Sequence, residues 1–310
     1  MTQITSPNGT PISRFAFGTM QFGGRADEGE SRAMFEASLK AGITHFDTAH
    51  VYNDGASETL LGRFAAPHRE DLVIATKAGY TGGAGRDNLL AQFDISRQRL
   101  EMDMVDILYL HRFDEGTDLR ETLETMANLR SAGKIRYVGL SNFAAWQVMK
   151  AACIGAEFDL AVHIIQPMYN LVKRQAEVEL LPMCASEGLN VAPYSPLGGG
   201  LLTGKYAQGT PGRLTEDDRY AARYGQDWMH DAAKQLKTIA DDLSVAPATL
   251  AVAWAARHVS NPMPILSARS TEQLTPSLAA LDFAMDDALY DRLTALTPTP
   301  PPATDRIEEG

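Results

Sequence analysis

The chain has 310 residues, 45% hydrophobic and 22% charged, a composition that excludes a disordered or collagen-like chain. Lys and Arg number 28 against 39 Asp and Glu, and the net charge of −11 disfavours nucleic acid and anionic membranes as partners. The two cysteines show no motif spacing, no apolar run approaches the about 20 residues of a membrane span, and MTQITSPNGT has no basic start or apolar core, so a cytoplasmic chain is expected.

Asn8-Gly9, between two short β-prone pieces, predicts an N-terminal hairpin. Eight short apolar runs then follow: 15–20, 44–49, 72–77, 106–112, 137–141, 161–166, 189–195 and 263–268. They are rich in Val, Ile and Leu and mostly do not alternate, as strands covered on both faces read. Amphipathic stretches separate them. Residues 30–42 place Met34, Phe35, Leu39 and Ala41 on one side; 118–133, 174–188 and 227–258 read as further helices. Strand and helix alternating eight times, with no composition shift, predict a single (β/α)8 TIM barrel over 1–310, with an extra C-terminal helix and a Pro-rich tail; a doubly wound open sheet is the alternative. The segment 198–226 is long for a connection, and the arginines and tyrosines of 207–226 suit a lid over cofactor or substrate, a floppy insertion being the alternative.

Active-site groups of such barrels come from the C-terminal ends of strands. Asp47 ends the second run, Lys77 the third and His111 the fourth, and Tyr52 follows Asp47 by five residues. A Lys that terminates an apolar strand must be solvated or paired, and Asp47 is its natural partner. A phenol is a poor acid at neutral pH, but a nearby ammonium favours its phenolate and lowers its pKa. The four groups therefore suit carbonyl reduction, with Tyr52 giving a proton, His111 orienting the carbonyl oxygen, and the hydride coming from a cofactor.

GITHFDTAHVYNDGASETLLGR (42–63) resembles the signature of aldo-keto reductases, and VIATKAG (73–79), GKIRYVGLSNF (133–143), QPMYNLVKR (166–174), YSPLGGGLLTGKY (194–206) and PILSARSTEQL (264–274) continue the likeness in order. The flavour is the bacterial branch that also resembles potassium-channel β subunits. The resemblance implies Tyr52 as proton donor, Lys77 as its activator, Asp47 as partner of Lys77, and His111 as carbonyl orienter. Ser141, Asn142 and Gln166 would bind the nicotinamide carboxamide, and Tyr194 would stack on the ring. Thr19 and Met20 would line that end, with Asp47 at its edge. Ser195, Leu197, Gly199 and Lys205 would hold the pyrophosphate and ribose, and Ser267, Arg269 and Gln273 the adenosine end. Ser277 replaces the family's adenine-contacting Asn. Arg269 suits the 2′-phosphate of NADPH, which is therefore expected ahead of NADH. The implied activity is NADPH-dependent reduction of an aldehyde or ketone, a sugar or another polar carbonyl; the alternative is a cofactor-sensing regulatory subunit. Oligomeric state is left open.

Arg112 either contacts the substrate together with Tyr52 and His111 or pairs with Asp114 or Glu115. Met20, Phe22, Tyr80, Phe143 and the 207–226 loop are further candidates for the mouth. GGLLTGKY (199–206) falls short of a P-loop, because Tyr206 stands where Ser or Thr would hold magnesium. No HExxH or CxxC supports a metal. The run Glu216-Asp217-Asp218 reads as solvated surface.

Overall fold

The computed structural model describes residues 3–208 and 212–304; residues 209–211 of the long connection and 305–310 of the tail lie outside the described residues. Eight parallel strands run in the order β7-β6-β5-β4-β3-β2-β1-β8. They are β1 (Ala16–Gly18), β2 (His45–Asp47), β3 (Val73–Ala78), β4 (Val105–Leu110), β5 (Ile135–Ser141), β6 (Ile164–Gln166), β7 (Asn190–Val191) and β8 (Ile265–Leu266). Backbone bonds from Met263 N to the Val191 carbonyl (2.7 Å) and from Ile265 N to the Pro193 carbonyl (2.9 Å) join the β8 segment to the β7 segment and close the ring. All eight predicted strands are present, five of them shorter than predicted, while β3, β4 and β5 reach one or two residues beyond the predicted runs at one end, and the open-sheet alternative is excluded by this closure.

The helices are α1 (Glu28–Lys40), α2 (Ala56–Ala65), α3 (Arg86–Leu100), α4 (Leu119–Ser131), α5 (Ala145–Ala156), α6 (Leu180–Glu187), the short α7 (Arg213–Glu216) and α8 (Asp218–Tyr224), α9 (Asp227–Asp242), α10 (Pro247–Arg257), α11 (Thr271–Leu278) and α12 (Asp287–Thr294). Side chains of Asp27, Asp118 and Asp286 accept from backbone N–H groups at the starts of α1, α4 and α12. A buried apolar layer between strands and helices includes Phe17, Phe46, Leu108, Val138 and Trp254; the barrel interior holds Ala16, Val73, Ala75, Ile107, Tyr109, Ile164 and Ile265. Ile4, buried with that interior set, plugs the lower mouth.

Four local expectations change. The hairpin forms, with Thr5 bridged to Pro11, but its loop is Pro7-Asn8-Gly9: Ser6 N bonds the Thr10 carbonyl and Gly9 N the Ser6 carbonyl. Pro7 takes the second position of the turn, where its fixed φ is already right. The 174–188 helix shrinks to α6, because Pro182 has no N–H and fits only in a first turn. The 227–258 stretch divides into α9 and α10 at Pro247, which opens α10. The 198–226 connection is built of 3-10 turns, α7 and α8 rather than plain loop, so the barrel carries more than the single extra helix α12. Among the described residues no single helix is long and apolar enough to cross a membrane.

Candidate active site

Asp47 and Lys77 sit at the upper ends of neighbouring strands and point into the barrel mouth. Their side chains are 4% and 0% exposed and form an ion pair. The Lys77 ammonium also donates to the Thr48 carbonyl (2.7 Å), and the other Asp47 oxygen accepts from the Gln166 amide (2.8 Å). Three strands of the ring are thereby tied through one carboxylate. Burial opposes the Lys77 charge, but Asp47 and the Tyr52 phenol outweigh it, so the ammonium is held above its ordinary pKa and stays charged.

Half-buried Tyr52 lies beside this pair, with Lys77 Nζ 5.2 Å from its ring centroid. Lys77 lowers the phenol's pKa as expected, but the net shift is upward. Burial pushes Tyr52 up, and the ammonium only partly offsets that push. Tyr52 is thus protonated at neutral pH, and the ammonium's stabilisation matters as negative charge develops on the phenol oxygen. His111 stands edge-on to Tyr52, ring centroids 6.0 Å apart at 83°. Burial, Lys77 and Arg112 push its pKa down to about 3, so its imidazole is neutral, and its Nδ1 is buried without a partner.

Strand-end turns hold the next shell. Asn142 and Ser195 both adopt positive φ, at 58° and 60°, where strands β5 and β7 give way to loops. The Asn142 amide donates to the His111 carbonyl (3.0 Å) and to Ser141 Oγ (3.1 Å); Tyr194 donates to Asn142 Oδ1 (2.7 Å), and Ser141 donates to the Gln166 carbonyl (3.1 Å). Asn170 Nδ2 bonds the Ser195 carbonyl (2.9 Å). The Met20 carbonyl accepts from Asn53 (2.9 Å), one residue after Tyr52. Thr19 is wholly buried; its hydroxyl bonds Ser57 (2.7 Å) and faces the fold rather than a groove. Ser277 is likewise buried, at 2% exposure on the inner face of α11, which leaves its hydroxyl almost no surface to offer adenine.

The adenosine-side candidates are at the opposite edge. Ser270 caps α11 by accepting from Gln273 N, the Arg269 N–H reaches the Gln273 amide oxygen (3.4 Å), and Ser267 and Gln273 are exposed. Arg269 does not sit in open solvent. It pairs with Glu216 (3.5 Å), which also pairs with Arg25 at 2.8 Å. The acidic run lies on the surface as read, with Glu216 and Asp218 exposed, and it also makes structural contacts: Glu216 straps the β7–α9 excursion to the turns after β1 and β8, and Asp217 caps α8. Between the two edges, Leu197 precedes a 3-10 turn (Gly198–Thr203) in which Gly199 has φ 66° and Gly200 φ 94°. A Cβ at 199 would meet Tyr220 at 2.7 Å, and the Lys205 side chain packs against Gly200. The glycine turn, the lysine, the tyrosine and the amides carry groups of the kinds that suit a nicotinamide dinucleotide: backbone N–H and cations for phosphates, amides for a carboxamide, a phenol face for a ring.

Sequence reasoning missed the supports. Glu58 of the signature is fully buried, accepting from Thr76 (2.6 Å) and Arg99 (3.1 Å), and Ser57 bonds both Thr19 and Thr48. Tyr109 and His45 lie inside the barrel below Asp47 with the Tyr109 hydroxyl and both His45 nitrogens unpartnered; burial pushes His45 down to about 4. The spacing was available, since His45 precedes Asp47 by two residues and so shares its inward face.

A closed (β/α)8 ring thus carries a buried Lys–Asp pair, a phenol and a neutral imidazole at its upper mouth. The family model described as "Aldo/keto reductase family" matches residues 14–298, and the chain belongs to that family. It is similar to a probable voltage-gated potassium channel subunit beta of Oryza sativa subsp. japonica (32% identical, covering 96% of this chain and 97% of the relative). It is also similar to aflatoxin B1 aldehyde reductase member 2 of Rattus norvegicus (34%; 86% and 79%) and to L-glyceraldehyde 3-phosphate reductase of Escherichia coli K12 (31%; 81% and 78%). The fold, the family and these aldehyde reductases make the chain an oxidoreductase of the carbonyl-reducing kind.

Proposed function

We propose that the protein reduces an aldehyde or ketone to the alcohol with NADPH, Tyr52 giving the proton. The observation that carries this reading is the difference between the two candidate acids. His111, pushed down to about 3, has no proton to lose as an imidazolium at neutral pH, whereas Tyr52 is protonated and lies beside a permanently charged lysine. Neutral His111 donates a hydrogen bond from one ring nitrogen and so orients a carbonyl oxygen without competing for the role of acid. As the carbonyl oxygen gains charge it takes the Tyr52 proton, and Lys77, held by Asp47, stabilises the phenolate left behind. The bound dinucleotide supplies the hydride.

Cofactor binding is assigned to Met20, Ser141, Asn142, Gln166, Tyr194, Ser195, Leu197, Gly199, Lys205, Ser267, Arg269 and Gln273, with Asp47 at the nicotinamide edge. Thr19 supports that edge from below. Arg269 is the reason to expect NADPH ahead of NADH: a guanidinium that pairs with the Glu216 carboxylate can exchange that partner for a 2′-phosphate. A sugar or another polar carbonyl is the proposed substrate class, and the cytoplasm the proposed location. The test is NADPH oxidation followed at neutral pH with a panel of simple and sugar aldehydes and ketones. Turnover with NADPH above NADH is the expected result. Tight NADPH binding with no turnover of any carbonyl would favour the cofactor-sensing subunit instead, a reading prompted by the plant relatives named as channel subunits.

A further inference from the structure

We propose that the mouth selects carbonyl compounds bearing an anionic group, a carboxylate or a phosphate, which Arg112 holds with help from Arg223 and Lys173. The proposal rests on the carbonyl-reductase reading above and adds the substrate's charge to it.

Several arginines elsewhere on this acidic chain pair with carboxylates, Arg86, Arg97 and Arg120 at 2.6, 2.8 and 2.7 Å, while Arg14 and Arg32 rest on the rings of Phe15 and Phe64. Among the described residues Arg112, Arg223 and Lys173 form no ion pair, and each rests against an aromatic face instead. The Arg112 guanidinium is 5.0 Å from the Tyr80 centroid, Arg223 is 5.3 Å from Tyr220, and Lys173 Nζ is 6.0 Å from Tyr224. Asp114, the nearest expected partner of Arg112, is spent on its own loop. It accepts from the Thr117 hydroxyl (2.6 Å), Ala84 N (2.8 Å) and Gly116 N (3.0 Å). Arg112 is felt there only through space.

Placement ties these cations to the reacting groups. Arg112 directly follows His111, and Tyr80, the ring beneath its guanidinium, lies 4.9 Å from the His111 ring. Arg223 sits on α8, whose Tyr220 stacks on Tyr224 with centroids 6.4 Å apart. Tyr220 closes on Gly199, where a Cβ would meet it at 2.7 Å, and the Tyr224 hydroxyl accepts from Asn170 (3.4 Å), whose amide also bonds the Ser195 carbonyl (2.9 Å), so α8 packs beside the turn that follows Tyr194, where the charge of Arg223 is felt. Lys173 follows β6 and is close enough to Arg223 for burial and their mutual repulsion to hold its pKa down. Arg112 leaves β4 and Arg223 belongs to the excursion after β7, strands three places apart in the ring. Cations that face one opening, unneutralised on a chain of charge −11, repel one another until an anion enters. A planar guanidinium lying on an aromatic ring keeps its edge N–H groups for a carboxylate or phosphate. The anion must be part of the substrate and not of the dinucleotide for Arg112, because Arg112 adjoins the carbonyl-orienting His111. Reduction itself is unchanged: the carbonyl carbon gains hydride and its oxygen the Tyr52 proton.

The experiment compares kcat/KM, with NADPH, for two matched pairs: glyceraldehyde 3-phosphate against glyceraldehyde, and succinic semialdehyde against butanal. The wild type is expected to favour the charged member of at least one pair by tenfold or more, and the preference should fall as salt rises. The pair that shows it distinguishes phosphate from carboxylate. Arg112→Gln should lower that ratio at least tenfold, mainly through KM, Arg112→Lys should restore part of it, and Arg223→Gln should lower it less. Equal use of charged and neutral members, or a ratio unmoved in Arg112→Gln, overturns the proposal while leaving carbonyl reduction standing. Loss of NADPH affinity in Arg112→Gln by the same factor overturns it in favour of a cofactor contact. Wild-type protein that turns over no carbonyl at all brings down the underlying reading instead.

Discussion

Replacing Asp47 by Asn removes the carboxylate that faces the Lys77 ammonium, whose side chain has no exposed surface. The lysine keeps the Thr48 carbonyl at 2.7 Å but loses its counter-charge, and breaking a buried pair from one side costs about 3–5 kcal/mol. Lys77→Met leaves the Asp47 carboxylate with the Gln166 amide as its remaining partner and should cost a similar amount. The double variant holds neither charge, so it should cost no more than either single, giving a coupling of about 3–5 kcal/mol against additivity. The pH dependence has a definite sign. In the wild type the Lys77 pKa is raised, so its contribution is present below the unfolded lysine value and is lost only as pH rises through the folded value. In Asp47→Asn burial acts unopposed by that carboxylate and should turn the shift downward, so the deficit should shrink between pH 7.5 and 10. Urea unfolding of the four proteins without cofactor, at both pH values, measures all of this. Additive losses within about 0.5 kcal/mol, the range expected of independent sites, would refute the argument that one pair organises the mouth.

Arg269→Ala should weaken NADPH by about 1.5–3 kcal/mol, the scale of a hydrogen bond to a charged group, and barely change NADH; fluorescence titration with both cofactors checks it, and equal losses would contradict the 2′-phosphate assignment. His45, His111 and His163 are buried and neutral, pushed to about 4, 3 and 4. The unfolded chain protonates them near 6.5 and the fold does not, so stability should fall by about 3–4 kcal/mol from pH 7 to 5.5 in urea melts, and a flat profile would contradict their burial. Gly139→Ala would bring a Cβ to 2.3 Å from the Tyr109 ring on the adjacent strand and should cost about 1–3 kcal/mol by overpacking, measured as a lower urea midpoint.

The strand ends were readable because a barrel converts position into address: Asp47, Lys77 and His111 each close an apolar run, and closure of the ring brings them together. Helix ends followed their signals where those were local, as at Asp118, and departed where a proline dictated the register, as at Pro182 and Pro247. What needed coordinates was burial. Composition shows an ammonium near a phenol, but the sign of the Tyr52 shift depends on how much water the folded mouth excludes. Glu216 sits in an acidic run that reads as solvated surface, and its partners Arg25 and Arg269 are 191 and 53 positions away in the chain. Ser277 looked like a groove residue by alignment with a pattern, yet the turn of α11 carries it inward with Leu274.

The central claim, that Tyr52 delivers the proton, is tested most directly by the turnover of Tyr52→Phe beside its affinity for NADPH. The account predicts that kcat for the best aldehyde falls by about 10²–10⁴-fold, the range for losing a positioned acid, while NADPH binds as in the wild type. A Tyr52→Phe protein that binds NADPH normally and reduces the aldehyde at the wild-type rate would contradict it.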